Sequence, residues 1–216
     1  MRPNSNANLP TPVVYIIDDD DAVRAAVSDL LRSVNIIAED YATTQAFLHA
    51  TPHTQFGCIL LDVRLPGTNG LDFHRQLERN GISLPVVFMT GYGDISMSVR
   101  AMKAGAIDFL TKPFLEQDIL DAVNSAVALS RDRQQKETTL TALATKYGTL
   151  TQREREVMHE VVKGLMNKQV AFNLGISEVT VKIHRGNMMR KMEAKSVVEL
   201  VKQSEILWPE RDHTRV

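Results

Sequence analysis

Cysteine is almost missing from this 216-residue chain: Cys58 stands alone, so no internal disulfide can form. No Cys/His spacing suits zinc. No apolar run approaches the ~20 residues that a membrane-crossing helix needs. The opening MRPNSNANLPTP is polar and broken by proline, without the apolar stretch of a secretory leader. These absences argue against disulfide-stapled, zinc-ribbon and membrane-spanning classes, and the expected location is the cytoplasm. A hydrophobic fraction of 44% is ordinary for a globular protein and excludes global disorder.

The near-neutral total, −1, hides an asymmetry. Residues 1–148 hold 13 Lys and Arg against 17 Asp and Glu, whereas residues 149–216 hold 12 against 9. An acidic first part and a basic second part suggest two domains with different partners. The first part alternates β-branched runs with helical stretches. The runs are Val13–Ile17, Ile36–Tyr41, Cys58–Asp62, Val86–Thr90 and Asp108–Thr111. The helical stretches are Ala22–Val34, Thr43–Ala50, Asn69–Asn80, Ile95–Ala104 and one from Leu115 onward. Strands that read as unbroken apolar runs belong to a parallel sheet covered on both faces, so the expectation is a small doubly wound α/β domain. From Leu150 only helical spacing remains, punctuated by Gly164, Gly175 and Ser177, which predicts four helices near 151–163, 167–174, 178–192 and 196–207. The expected division is a disordered tail over 1–11, an α/β domain over 12–129, a helical or flexible linker over 130–147, a helical domain over 148–208 and a tail over 209–216.

Polar side chains gather at the carboxyl ends of the strands. Asp18, Asp19, Asp20 and Asp21 follow the first strand, Asp62 closes the third, Thr90 the fourth, and Lys112 follows the fifth. Ligands of open α/β sheets bind at these ends, where strand order reverses. Clustered carboxylates suit a hard divalent cation with oxygen ligands. A lysine and a hydroxyl opposite them suit a phosphoryl group. The acidic run alone would equally be a solvated loop or a helix cap; its company at the other strand ends favours a site.

The segments IIDDDDAVR, LLDVRLPGTNGLD, VFMTGYGD and AMKAGAIDFLTKPF resemble, in order and spacing, the receiver domain of two-component response regulators over roughly residues 11–130. The resemblance implies a five-stranded parallel sheet of order 2-1-3-4-5. It implies Asp62 as phospho-acceptor and Mg²⁺ held by Asp19, Asp62 and the main-chain carbonyl of Arg64, with Asp18 acting through water. It further implies Lys112 and Thr90 beside the phosphoryl group, a cis peptide at Pro113 and a switch built from Thr90 and Phe109. Val99 and Lys103 become candidates for a dimer face, with Met102 reading better as core. A carboxylate nucleophile would yield an acyl phosphate, and the lysine would place a positive point charge on the phosphoryl oxygens.

The region Leu150–Leu200, with LTQRE, GLMNKQVA, LGISEVTVKIH and NMMRKM, resembles the LuxR-type helix-turn-helix. Val181, His184, Met188 and Met192 form one stripe, expected to be buried, while Glu178, Val179, Lys182, Ile183, Arg185 and Arg190 lie opposite. The second helix of such a motif enters the major groove. The candidate DNA contacts are Lys168, Thr180, Lys182, Ile183, Arg185, Arg190 and Lys191, and the resemblance gives Glu154 a bracing role. Gly186 stands where several relatives carry a longer polar residue, so either a base contact is absent at that position or close backbone approach substitutes for it.

The two blocks together resemble FixJ-like regulators. The resemblance implies phosphate from a sensor histidine kinase, a homodimer when phosphorylated, double-stranded DNA bound at two half-sites, contact with RNA polymerase, and no enzymatic activity beyond Mg²⁺-dependent self-phosphorylation. Two other classes fit the aspartates alone. A phosphatase acting on an external substrate would need a cap or long loops, and the βα connections are short. A receiver that never takes phosphate would be expected to lack Asp62, Asp19 or Lys112, all of which are present.

Overall fold

The computed structural model describes residues 11–50, 56–91 and 106–209, and these divide after Gln134 into two units. In the first unit, β1 (Val13–Ile17), β2 (Ile37–Tyr41), β3 (Gly57–Asp62), β6 (Val86–Thr90) and β7 (Asp108–Thr111) form one sheet of order β2-β1-β3-β6-β7. Every pairing is parallel, so the order expected from the sequence is the one observed. A two-residue hairpin of β4 (Arg64–Leu65) and β5 (Thr68–Asn69) follows β3. Strands that short carry no readable periodicity, and the sequence gives no sign of them.

Alternation along the strands explains why both faces are covered. Val13, Tyr15 and Ile17 point to one face, with Phe47 of α2 (Thr44–His49) and Leu71, Phe73 and Leu77 of α3 (Gly70–Arg79). Val14 and Ile16 point to the other, with Val27 and Leu31 of α1 (Asp21–Ser33) and Ile119, Val123 and Ala126 of α4 (Glu116–Gly148). The central strands β1, β3 and β6 are buried along their whole length, whereas the edge strand β2 is half-exposed. Cys58 lies inside the second face, and burial pushes its thiol up to about 12, which leaves it unreactive at neutral pH.

Gly57 opens β3 at φ +143°, and a Cβ there would lie 1.8 Å from the carbonyl oxygen of Val13, so no other residue fits. Its N–H donates to the buried Ser130 hydroxyl at 3.1 Å. Helix α4 is therefore tied to the start of the sheet by a residue expected to open the linker. The same helix runs without a break to Gly148, through the whole stretch read as helical or flexible. The helix expected over Ile95–Ala104, and with it Val99, Met102 and Lys103, lies outside the described residues, as do residues 1–10 and 210–216.

The second unit is helical. After the end of α4 come α5 (Gln152–Val161), α6 (Asn167–Leu174), α7 (Glu178–Lys191) and α8 (Val197–Leu207). Thr151 and Glu154 close a reciprocal capping box on α5. Gly175 ends α6 in the left-handed conformation, and Ser177 caps α7 by accepting from the Thr180 N–H. One core joins Leu143 and Leu150 to Val157, Met158, Val161, Val170, Val181, Met188, Met192 and Leu200. Val181, Met188 and Met192 of the expected stripe are fully buried; His184, between them, is half-buried. No helix among the described residues is long and apolar enough to cross a membrane.

Candidate phosphoryl-acceptor and DNA-facing sites

The four consecutive aspartates do four different things. Asp18, just past β1, is completely buried, and its Oδ1 accepts from the Asp20 N–H at 3.0 Å. Asp19 is exposed at the mouth of the site. Asp20 caps α1, accepting from the Ala22 and Val23 N–H groups. Asp21 forms an ion pair with Arg24 one turn on. Arg24 also donates to the Asp18 carbonyl at 2.7 Å and to Asp40 at 3.3 Å, which holds the loop closed over the end of β1. That brace was not foreseen; the signal for it is a basic residue three positions beyond an acidic helix start.

Asp62 closes β3 and is buried. Its Oδ1 accepts from the Arg64 N–H at 2.9 Å, and its Oδ2 from the Lys112 ammonium at 2.7 Å. The same ammonium lies 2.5 Å from Asp18 Oδ2. Lys112 thus spans the two carboxylates from the far side of the sheet, its own N–H donating to the Thr90 carbonyl at 2.6 Å and its peptide bond to Pro113 being cis. Thr90 is fully buried at the end of β6. Phe109 pairs with Phe88 in the ladder and is half-buried against the aromatic face of the sheet. Gly70, at the start of α3, is a second unforeseen supporting residue: a Cβ there would lie 2.5 Å from the Asp62 carbonyl oxygen.

Burial pulls the Asp18 carboxyl above its ordinary range, although Lys112 and the Asp20 amide act the other way. Lys112 also pays for burial, but its hydrogen bonds to Asp18 and Asp62 more than compensate and hold its ammonium above the usual lysine range. Asp18, Asp19 and Asp62 each offer a carboxylate oxygen, and these oxygens lie within 4.8 Å of one another. Three hard carboxylate oxygens, two on buried aspartates and one on the exposed Asp19, fit Mg²⁺, which keeps part of its water shell.

In the second unit, helix α7 presents Val179, Lys182, Ile183, Gly186 and Arg190 to solvent. Lys168 on α6 is exposed; Thr180 is half-buried, its hydroxyl 2.8 Å from that of Ser177. Three of the expected surface cations have partners inside the unit, the exposed Arg190 among them by donating to Asn187 at 3.1 Å. Arg185 is half-buried and donates to Asn167 at 2.7 Å. Lys191 pairs with the buried Glu154 at 2.6 Å and donates to the Thr149 carbonyl at 3.2 Å. Burial alone would raise the Glu154 carboxyl, but the hydrogen bonds from Lys191 and Thr151 carry it below its ordinary range.

These arrangements agree with what the chain is similar to. The response regulator receiver domain matches residues 14–124, and the luxR family of bacterial regulatory proteins matches residues 148–203. Nodulation protein W of Bradyrhizobium diazoefficiens is 45% identical over 202 residues, covering 94% of this chain and 89% of that protein. The transcriptional regulatory protein FixJ of Azorhizobium caulinodans is 41% identical over 191 residues, covering 88% and 90%. Among solved structures, the response regulator StyR superposes with a TM-score of 0.80 at 44% identity, covering 91% of this chain and 99% of that one. A receiver sheet that ends in Asp18, Asp62 and Lys112 and a capped LuxR-type helix-turn-helix, matched along nearly the full length of these relatives, place the chain among the DNA-binding response regulators of two-component systems, of the FixJ-like type.

Proposed function

We propose that Asp62 accepts a phosphoryl group from a sensor histidine kinase and that the modified receiver pairs with a second copy to place two helix-turn-helix units on adjacent DNA half-sites. The observation that carries this reading is the Lys112 ammonium held between Asp18 Oδ2 and Asp62 Oδ2. A cation held there suits a doubly charged phosphoryl group with three oxygens. One Asp62 carboxylate oxygen attacks phosphorus in line, the phosphorus–nitrogen bond of the donor phosphohistidine breaks, and its electron pair returns to the imidazole. Lys112 stays with the phosphoryl oxygens, and the Arg64 N–H keeps the second Asp62 oxygen fixed. Asp19, Asp62 and the Arg64 main-chain carbonyl would hold Mg²⁺, with Asp18 acting through water, and the chemistry supplied there would be neutralisation of charge on the transferring group. Thr90 closes on the new phosphate and Phe109 follows it inward, a two-state element biased by a modification. Val99 and Lys103 remain the proposed dimer face.

On DNA, the proposed contacts are Lys182, Ile183 and Arg190 on the open face of α7, with Lys168 and Thr180 toward the phosphates. Arg185 reaches the backbone from the flank of that face, and Lys191 mainly braces α7 through Glu154. RNA polymerase is the proposed further partner of the DNA-bound dimer. Incubation with Mg²⁺ and acetyl phosphate tests the first step. The wild-type chain should gain one phosphoryl group by intact mass and Asp62→Asn none, because an amide is a poor nucleophile. Wild-type loading of Asp62→Asn would move the acceptor elsewhere.

A further inference from the structure

Recognition helix α7 carries an apolar pair on its open side. Val179 is 66% exposed and Ile183 is 58% exposed, one helical turn apart on the same face. The packing of the unit uses neither, since its core is supplied by Val181, Met188 and Met192 from the opposite side. Lys182 and Arg190 are exposed alongside, so the pair lies in a cationic surface that suits a polyanion rather than an apolar protein partner. Gly186 continues the same face one turn further on. A Cβ there would meet nothing within 4 Å, and the residue is not in the left-handed region, so nothing inside the unit requires glycine. Glycine nevertheless disfavours a helix interior. The helix therefore presents two branched apolar side chains followed by a gap through which a base edge can approach the backbone.

In the major groove only thymine offers an apolar group, its 5-methyl, while the other bases present donors and acceptors. We propose that Val179 and Ile183 read thymine methyl groups within each half-site and that Gly186 leaves the clearance for that approach. The proposal rests on the reading of α7 as the DNA-reading helix and adds which base it selects. Guanine, adenine and cytosine at those positions would meet an apolar side chain in place of a hydrogen-bonding partner, which leaves their polar edges unpaired.

The test uses the full chain treated with acetyl phosphate. Duplexes are selected from a random pool, and each thymine of the selected site is then replaced singly by deoxyuridine, which keeps every hydrogen bond and removes only the methyl. Two positions per half-site should each lose about fourfold in affinity, the worth of one buried methyl group. Val179→Ala should abolish that sensitivity at one position and Ile183→Ala at the other, while Lys182→Ala weakens binding and keeps both. A specific site indifferent to deoxyuridine overturns the methyl reading and leaves α7 as the DNA-reading helix. Sensitivity that persists in the double Val179→Ala, Ile183→Ala chain overturns it as well. Failure to select any sequence overturns both the proposal and the DNA-reading role on which it rests.

Discussion

Asp18 holds a charge against its own burial: the carboxylate has no solvent exposure, and desolvation pulls it above its ordinary range. Lys112 stabilises that charge but shares its ammonium with Asp62. Asp18→Asn should therefore raise the unfolding temperature of the receiver unit, while Mg²⁺ affinity and loading by acetyl phosphate fall sharply. Calorimetry of the full chain beside intact-mass measurement checks both parts; a drop in unfolding temperature would show that Asp18 serves stability instead. Residue type and position were enough to find Asp18, Asp62, Thr90 and Lys112, because apolar strands end abruptly in polar side chains. Residue type alone did not divide the labour among Asp18, Asp19, Asp20 and Asp21, since four identical residues carry no sign of which one turns inward; the resemblance to receiver domains singled out Asp18 and Asp19, but not the capping role of Asp20 or the ion pair of Asp21.

At the scale of elements, the helical unit depends on an ion pair between α5 and α7 in which Glu154 is buried and Lys191 half-buried. Glu154 is held below its ordinary range by Lys191 and by the Thr151 capping bonds, which outweigh its burial. A carboxyl depressed in the folded state adds stability above its unfolded-state pKa, and the contribution is lost as pH falls through the folded-state value. The unit should thus lose stability below about pH 4.3. Glu154→Gln should cost about 1–3 kcal/mol at neutral pH and flatten that acid limb, as read by thermal unfolding followed by circular dichroism. An unchanged acid limb would assign it to other carboxylates. Gly186→Ala should act oppositely, stabilising α7 by up to about 1 kcal/mol because open space surrounds the site; a lower unfolding temperature would contradict that geometry. Helical spacing made α5 to α8 legible, as did the breaks at Gly164 and Gly175 and the cap at Ser177, whereas the caps at Thr151 and Ser196 emerged only in the structure. The partners of Lys191 and Arg185 were not legible, because a basic residue on a polar face looks the same in sequence whether it meets DNA, water or a buried glutamate. Nor was the length of α4, since SRDRQQKETTLTALATK fits a helix and a flexible tether equally well.

For the whole molecule, the proposed control lies at Asp62, where phosphate would change how the two units act together. Each unit has its own core, two faces around the sheet and a separate helical cluster that includes Leu143 and Tyr147 of α4. A fragment that keeps the whole helical cluster, with Leu143 and Tyr147, starts at residue 135. Joining two weak half-site contacts through paired receivers raises avidity by roughly 10²–10⁴ without any new base contact. The most direct measurement is the mass and operator affinity of the full chain, with and without acetyl phosphate, beside residues 135–216 alone and beside Asp62→Asn. Phosphate should convert the wild-type chain from monomer to dimer and tighten its DNA binding by at least tenfold, whereas Asp62→Asn and the fragment should not respond. An unmodified chain that is already a dimer with full affinity would contradict the account.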